Sequence, residues 1–180
     1  IYYKLFFKVE VTGLENVPEE GAAILCANHT SNFDPISLAV YLDRLPRYIA
    51  KKELFENKII GSFLTDLKAF PVNREGTDLK AYRTALKVLK EGEILGIFAE
   101  GTRVKPGQEV DAKAGVALFA LKSGAPVIPV GINGSYKLFS KLKISFGAPM
   151  TFEEYDSKRV KNETLKEITD KIMAQVNELK

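Results

Sequence analysis

Short apolar runs alternate with amphipathic stretches along almost the whole chain, and that alternation limits the fold more than any other feature. Residues 8–12 alternate as a strand does, and residues 22–27 form a continuous apolar run suited to a strand buried on both faces. Asp34-Pro35 reads as a helix start, with Asp as the cap, Pro at the first helical position and Ile36, Leu38, Ala39 and Leu42 on one face. A strand over 47–50 and a short helix over 58–67, weakened by Gly61, come next. A strand over 68–72 leads to an amphipathic helix over 77–91, with Leu79, Tyr82, Leu86 and Leu89 as its stripe and Gly92 as its end. The pattern then predicts a strand over 94–99, a buried helix over 113–122, and strands over 127–132 and 142–146. A helix over 160–179 closes the chain, with Leu165, Ile168, Ile172 and Val176 on one face. Pro129 is expected at a sheet edge or a strand end. Strands alternating with helices require crossover connections. The expected fold is therefore α/β: a single domain with a mostly parallel or mixed central sheet flanked by helices.

A chain of 180 residues with an apolar fraction of 46% suits one compact soluble-type domain. We place that domain over residues 8–180. Residues 1–7, Ile1-Tyr2-Tyr3-Lys4-Leu5-Phe6-Phe7, are set apart as an interfacial or truncated N-terminal segment. Packing of these aromatics on the core is the competing reading. A net charge of +3 does not mark a nucleic-acid binder and is compatible with anionic substrates or an anionic membrane surface. A single cysteine, Cys26, excludes an internal disulfide framework and is expected to be a small buried hydrophobe. One cysteine and one histidine do not supply the usual zinc ligand set. No window reaches the roughly 18 apolar residues of a membrane span.

The one histidine, His29, lies in Asn28-His29-Thr30-Ser31-Asn32-Phe33-Asp34-Pro35, between the apolar run and the helix start. Imidazole is the side chain whose ordinary pKa lies nearest neutrality. A carboxylate on one ring nitrogen leaves the other free to take a proton from a hydroxyl, and Asp34 is placed to be that carboxylate. By spacing alone a second reading stands: Asp34 as a cap and His29 as an ordinary turn residue. Glu100-Gly101-Thr102-Arg103 follows the strand over 94–99, with Gly101 permitting a tight turn and Arg103 offering a planar fork of donors suited to phosphate. Phe70-Pro71-Val72-Asn73-Arg74 repeats the pattern of strand, turn and arginine. Lys51 and Lys52 add positive charge after another strand. In a parallel sheet such residues gather at the carboxyl ends of the strands, so His29, Arg74 and Arg103 are expected on one edge. Taken singly, each cation reads by default as a solvated surface group. The glycines match neither a dinucleotide fingerprint nor a P-loop, and no Gly-x-Ser-x-Gly elbow is present.

Four segments in order resemble the blocks of the glycerol-phosphate and lysophosphatidic-acid acyltransferase family. They are Asn28–Asp34, with its His-x4-Asp spacing, Phe70–Arg74, Phe98–Arg103 and Val127–Val130. The resemblance implies a glycerol-phosphate acyltransferase-like fold and an enzyme that moves a fatty acyl group from a thioester to the sn-2 hydroxyl of 1-acyl-sn-glycerol-3-phosphate, forming phosphatidic acid. It makes His29 and Asp34 the catalytic pair. Arg74, Arg103 and Lys51 become phosphate ligands, and Glu100, Gly101 and Thr102 support the acceptor site. Glu100 is expected to orient an arginine or a glycerol hydroxyl. No metal or resident cofactor is implied. The donor is acyl-CoA or acyl-ACP, and the partners are a membrane lipid acceptor, that acyl carrier and the membrane surface, with no nucleic acid. The implied location is the cytoplasmic face of a bacterial membrane, peripheral or monotopic. The same chemistry on glycerol-3-phosphate or another lysophospholipid stays open. A non-catalytic lipid-binding module with the same fold also stays open, as does a metal-dependent hydrolase.

Overall fold

The computed structural model describes residues 8–73, 76, 78–104, 108, 110–137 and 140–180. Its strands are β1 Lys8–Thr12, β2 Ala23–Ala27, β3 Arg47–Lys51, β4 Phe70–Val72, β5 Ile94–Phe98, β6 Val127–Gly134 and β7 Lys141–Phe146. Its helices are α1 Asp34–Tyr41, α2 Lys58–Asp66, α3 Leu79–Lys90, α4 Gly115–Ser123 and α5 Asn162–Glu178. The strands form one seven-stranded sheet in the order β1-β7-β6-β2-β5-β3-β4. Every pairing in it is parallel except β6 with β7. The expected α/β architecture with a mostly parallel sheet is thus what the chain adopts. The N-terminal segment over 1–7 lies outside the described residues.

β2 explains why the sheet is covered on both faces. All five of its residues are buried. Ile24 and Cys26 point into one core with side chains of α3, α4 and α5, while Ala23, Leu25 and Ala27 point into the other with Leu38 and Leu42. A continuous apolar run is the sequence signature of a strand between two layers. Burial pushes the Cys26 thiol up to about 12, with the Glu100 charge adding to the rise, so no thiolate forms there at neutral pH.

Three expectations need correction. Pro129 sits inside β6, a central strand, and not at an edge. It lies between the isolated Val127–Met150 bridge and the β6–β7 ladder, which begins at Val130–Phe146; its carbonyl still accepts the Gly147 N–H at 2.8 Å, while its own nitrogen has no proton to return. The stripe of α3 is Ala81, Ala85, Val88 and Leu89, whereas Leu79 is 58% exposed. Small alanines allow the helix to lie close on the sheet, which turns the larger Tyr82 and Leu86 to the margin of the core. Finally, Phe33 and not Asp34 occupies the cap position of α1, with Asp34 already helical and Pro35 within the first turn. What the Asp34 carboxylate does instead is central to the site.

Candidate active site

Parallel pairing brings the carboxyl ends of β2, β5, β3 and β6 to one edge. His29 follows β2, Arg103 follows β5, and Lys51 closes β3. The expected convergence on one edge holds for His29 and Arg103, and Lys51 ends its strand at the same edge. Arg74 lies outside the described residues.

The turn between β2 and α1 is built around a buried carboxylate. Asp34 Oδ2 lies 2.9 Å from His29 Nδ1. The same oxygen accepts the backbone N–H groups of Thr30 and Ser31, each at 2.7 Å. The carboxylate has therefore folded back over the turn that precedes its own helix, and two backbone N–H groups of that turn bind it there. The Asp34 side chain is 0% exposed and that of His29 is 18% exposed, so the acid is sealed while the imidazole keeps an open edge. His29 stacks on Phe98, with ring centroids 4.2 Å apart and 25° between planes. With Nδ1 turned to Asp34, Nε2 is the nitrogen left for a ligand.

The backbone of His29 is fixed from both sides. Its N–H donates to Glu100 Oε2 at 2.6 Å, and its carbonyl accepts the Val104 N–H at 2.8 Å. One oxygen of Glu100 thus holds the histidine turn. Burial raises the Glu100 carboxyl above the ordinary glutamate range, and the His29 N–H opposes that rise. Just before the turn, Asn28 accepts the Ile132 N–H at 2.7 Å and donates to the Ile132 carbonyl at 2.9 Å, pinning the end of β2 to β6.

Two cavities flank this turn. One, of about 660 Å³, is mainly apolar; His29, Phe33, Tyr48, Phe63, Phe98 and Phe119 line it. Gly101, Lys51 and Lys113 also reach it. The other, of about 910 Å³, is lined by Thr30, Ser31, Glu100, Thr102, Arg103 and Tyr136, and by Lys137 and Lys180. Lys51 and Arg103 therefore face different cavities. The Lys51 ammonium is half exposed and lies 3.7 Å from Glu53.

Sequence reasoning passed over three residues at this edge. Asn28 stood inside the histidine block, but nothing in the pattern marked it as a pin. Lys113 carries its stem where a Cβ on Gly101 would sit, 2.9 Å from its Cε. Tyr136 donates its hydroxyl to Asp34 Oδ1 at 2.7 Å from the segment after β6. Among the described residues no group of three or more His, Cys, Asp and Glu could hold a metal ion. No described helix is long and apolar enough to cross a membrane.

The family model described as Acyltransferase matches residues 8–133. A 1-acyl-sn-glycerol-3-phosphate acyltransferase of Bacillus subtilis is 40% identical over 150 residues, covering 79% of this chain and 73% of the relative. One of Borreliella burgdorferi is 34% identical over 137 residues, covering 74% of this chain and 54% of the relative. The chain thus spans only part of the length of these relatives. The crystal structure of the 1-acyl-sn-glycerophosphate (LPA) acyltransferase, PlsC, from Thermotoga maritima superposes with a TM-score of 0.76 at 28% identity. That match covers 99% of this chain and 74% of the other.

Proposed function

The chain belongs to the acyltransferase family, and on that premise we propose that it transfers a fatty acyl group from a thioester to the sn-2 hydroxyl of 1-acyl-sn-glycerol-3-phosphate, giving phosphatidic acid. The relatives that carry this activity in their names support the choice of acceptor. The observation that carries the chemistry is the His29–Asp34 pair, 2.9 Å apart, with the imidazole in the wall of an apolar cavity.

In this reading His29 Nε2 takes the proton of the acceptor hydroxyl as its oxygen attacks the thioester carbonyl carbon. Asp34 keeps the proton on Nδ1 and balances the imidazolium that forms. The tetrahedral intermediate expels the thiolate, which recovers the proton from Nε2. The acyl group passes directly to the acceptor, with no acyl-enzyme. A positioned base of this kind contributes roughly 10²–10⁴-fold.

The apolar cavity at His29 suits a fatty chain, since burying methylenes there is favourable at about 0.8 kcal/mol each. Arg103, in the polar cavity beside Thr30 and Ser31, suits the acceptor phosphate. Lys51 and Arg74 are kept as further phosphate ligands on the strength of the sequence blocks, and Gly101 and Thr102 as supports of the acceptor site. The donor is acyl-CoA or acyl-ACP, and no resident cofactor takes part. We place the protein peripherally on the cytoplasmic face of a bacterial membrane. Exposed Phe33, Leu54, Ile60 and Phe63, which also line the cavity of His29, support contact with a lipid phase.

The test is an assay matrix with purified protein, both thioester carriers, several chain lengths and several acceptors. Phosphatidic acid formed most efficiently from the lysophosphatidic acceptor is the expected result. Preference for glycerol-3-phosphate or a lysophospholipid with a larger head group, at matched donor concentration, would overturn the acceptor. Failure of every thioester with every acceptor would leave a lipid-binding module in place of an enzyme.

A further inference from the structure

We propose that Tyr136 is a positioning residue for the His29–Asp34 pair, holding the carboxylate oxygen that does not face the imidazole. This rests on the acyltransferase reading only for its consequence on rate; the geometry stands apart from it. The two oxygens of Asp34 are served differently. Oδ2 takes His29 Nδ1 and two backbone N–H groups. Oδ1 takes the Tyr136 hydroxyl at 2.7 Å and the Thr30 hydroxyl only at 3.4 Å. Because Asp34 is sealed from solvent, the phenol is the strong donor to that second oxygen.

Tyr136 is itself held. Ser37 Oγ lies 2.9 Å from its oxygen and 2.8 Å from the Phe33 carbonyl, and the single serine proton serves one of these at a time. The Tyr136 ring lies 5.6 Å from that of Phe33, which lines the apolar cavity, while Tyr136 lines the polar one. A side chain from the end of β6 thus fixes the rotation of a carboxylate at the start of α1 and stands in the partition between the two cavities. Its bond also draws negative charge away from the oxygen pair. Without it the carboxylate concentrates its charge on the imidazole and keeps strong bonds at Oδ2 alone.

His29 is the only histidine, so its ring signals need no assignment among neighbours. The test is an NMR titration of the imidazole in the parent and in Tyr136→Phe, with kcat and KM measured over the same pH range. Among the described residues, the other ionisable groups acting on the pair are Glu100, whose carboxylate takes the His29 N–H, and Tyr48, which feels the Asp34 charge; Lys180 acts on Glu100. All are common to both proteins, so the difference reports the lost hydroxyl. The imidazole midpoint and the acidic limb of kcat/KM should both move up, by about half a pH unit. The kcat should fall about tenfold, with KM within about twofold. Ser37→Ala, which keeps the tyrosine and removes its support together with the bond to the Phe33 carbonyl, should move the midpoint the same way by less. It decides the matter should Tyr136→Phe fail to fold. An unmoved or lowered midpoint in a folded variant would overturn the proposal, as would a rate loss equal at every pH. If the parent transfers no acyl group to any acceptor, the functional reading fails while the titration still judges Tyr136.

Discussion

Glu100 Oε2 accepts the backbone N–H of His29 at 2.6 Å, joining the ends of the paired strands β2 and β5 across 71 positions of sequence. Burial holds this carboxyl above the ordinary glutamate range. The folded protein therefore keeps the proton to higher pH than the unfolded chain does. Stability from this group is fully present below the unfolded value of 4.5 and is lost as pH rises through the raised folded value. Glu100→Gln keeps an acceptor for the N–H and removes the titration. Its melting temperature, relative to the parent, should climb as pH rises from about 4 to about 7. Thermal denaturation at several pH values reads this, and a constant offset would count against it.

The two members of the histidine pair should fail in different ways. His29→Ala should lower turnover by about 10²–10⁴-fold while the protein still melts cooperatively. Asp34→Asn can keep its carbonyl toward the N–H groups of Thr30 and Ser31 and turn its amide to Tyr136. The fold should survive at a cost of about 1–3 kcal/mol. The imidazolium loses its counter-charge, so kcat should fall while KM for the acceptor stays nearly unchanged. Kinetics with circular dichroism distinguish the two; a raised KM with unchanged kcat in Asp34→Asn would place the residue in binding instead.

Much of this was legible in the residues because it is local. Periodicity marks β2 and α5 without help from tertiary structure, and the His-x4-Asp spacing marks both members of a pair that meet within one turn. The partners of that pair were not legible. Tyr136 reaches Asp34 over 102 positions, through a strand order that places β6 beside β2. A lone tyrosine after a strand carries no sign of that order. The cap assignment of Asp34 failed for a related reason. Capping statistics assume a carboxylate turned into its own helix, whereas the imidazole and two upstream N–H groups draw this one back. The bond from the His29 N–H to Glu100 was hidden in the same way, because a sequence does not display a backbone N–H as available.

Arg103 lines the polar cavity beside Thr30 and Ser31. If it holds the acceptor phosphate, Arg103→Ala should lose about 1.5–3 kcal/mol of transition-state stabilisation, roughly 10- to 150-fold in kcat/KM for the phosphorylated acceptor. The loss should shrink for an acceptor lacking phosphate, with KM carrying most of it. Equal losses on both acceptors would reject the contact.

Gly101 has φ +66°, and a Cβ there would meet Lys113 Cε at 2.9 Å. The lysine stem is flexible and can give way, but the left-handed backbone still disfavours a side chain by about 1–2 kcal/mol. Gly101→Ala should lower the melting temperature by about 2–8 °C. It should also push Lys113 off the turn and so disturb the cavity that both residues share with His29. A melting temperature equal to the parent's would show that the turn relaxes without strain.

Helix α2 buries only Gly61, whose Cα passes so close to Phe55 that a Cβ would lie 2.8 Å from the Phe55 carbonyl oxygen. Its apolar side chains are left facing outward: Ile59 is 84% exposed, and Ile60 and Phe63 are nearly half exposed. Ile60 and Phe63 also line the cavity of His29, so a lipid leaving a bilayer at this surface would meet the reacting group without crossing water. Ile59→Asp places a charge on the outermost of these side chains and touches neither cavity wall. It should reduce cosedimentation with lipid vesicles and slow turnover of vesicle-borne acceptor, while turnover of a short-chain, water-soluble acceptor stays at the parental rate. Truncating residues 1–7 in a flotation assay measures the share of binding owed to Tyr2, Tyr3, Phe6 and Phe7. If Ile59→Asp binds vesicles as the parent does, α2 is not part of the membrane contact; if it slows both acceptors equally, its effect is on the site and not on the surface.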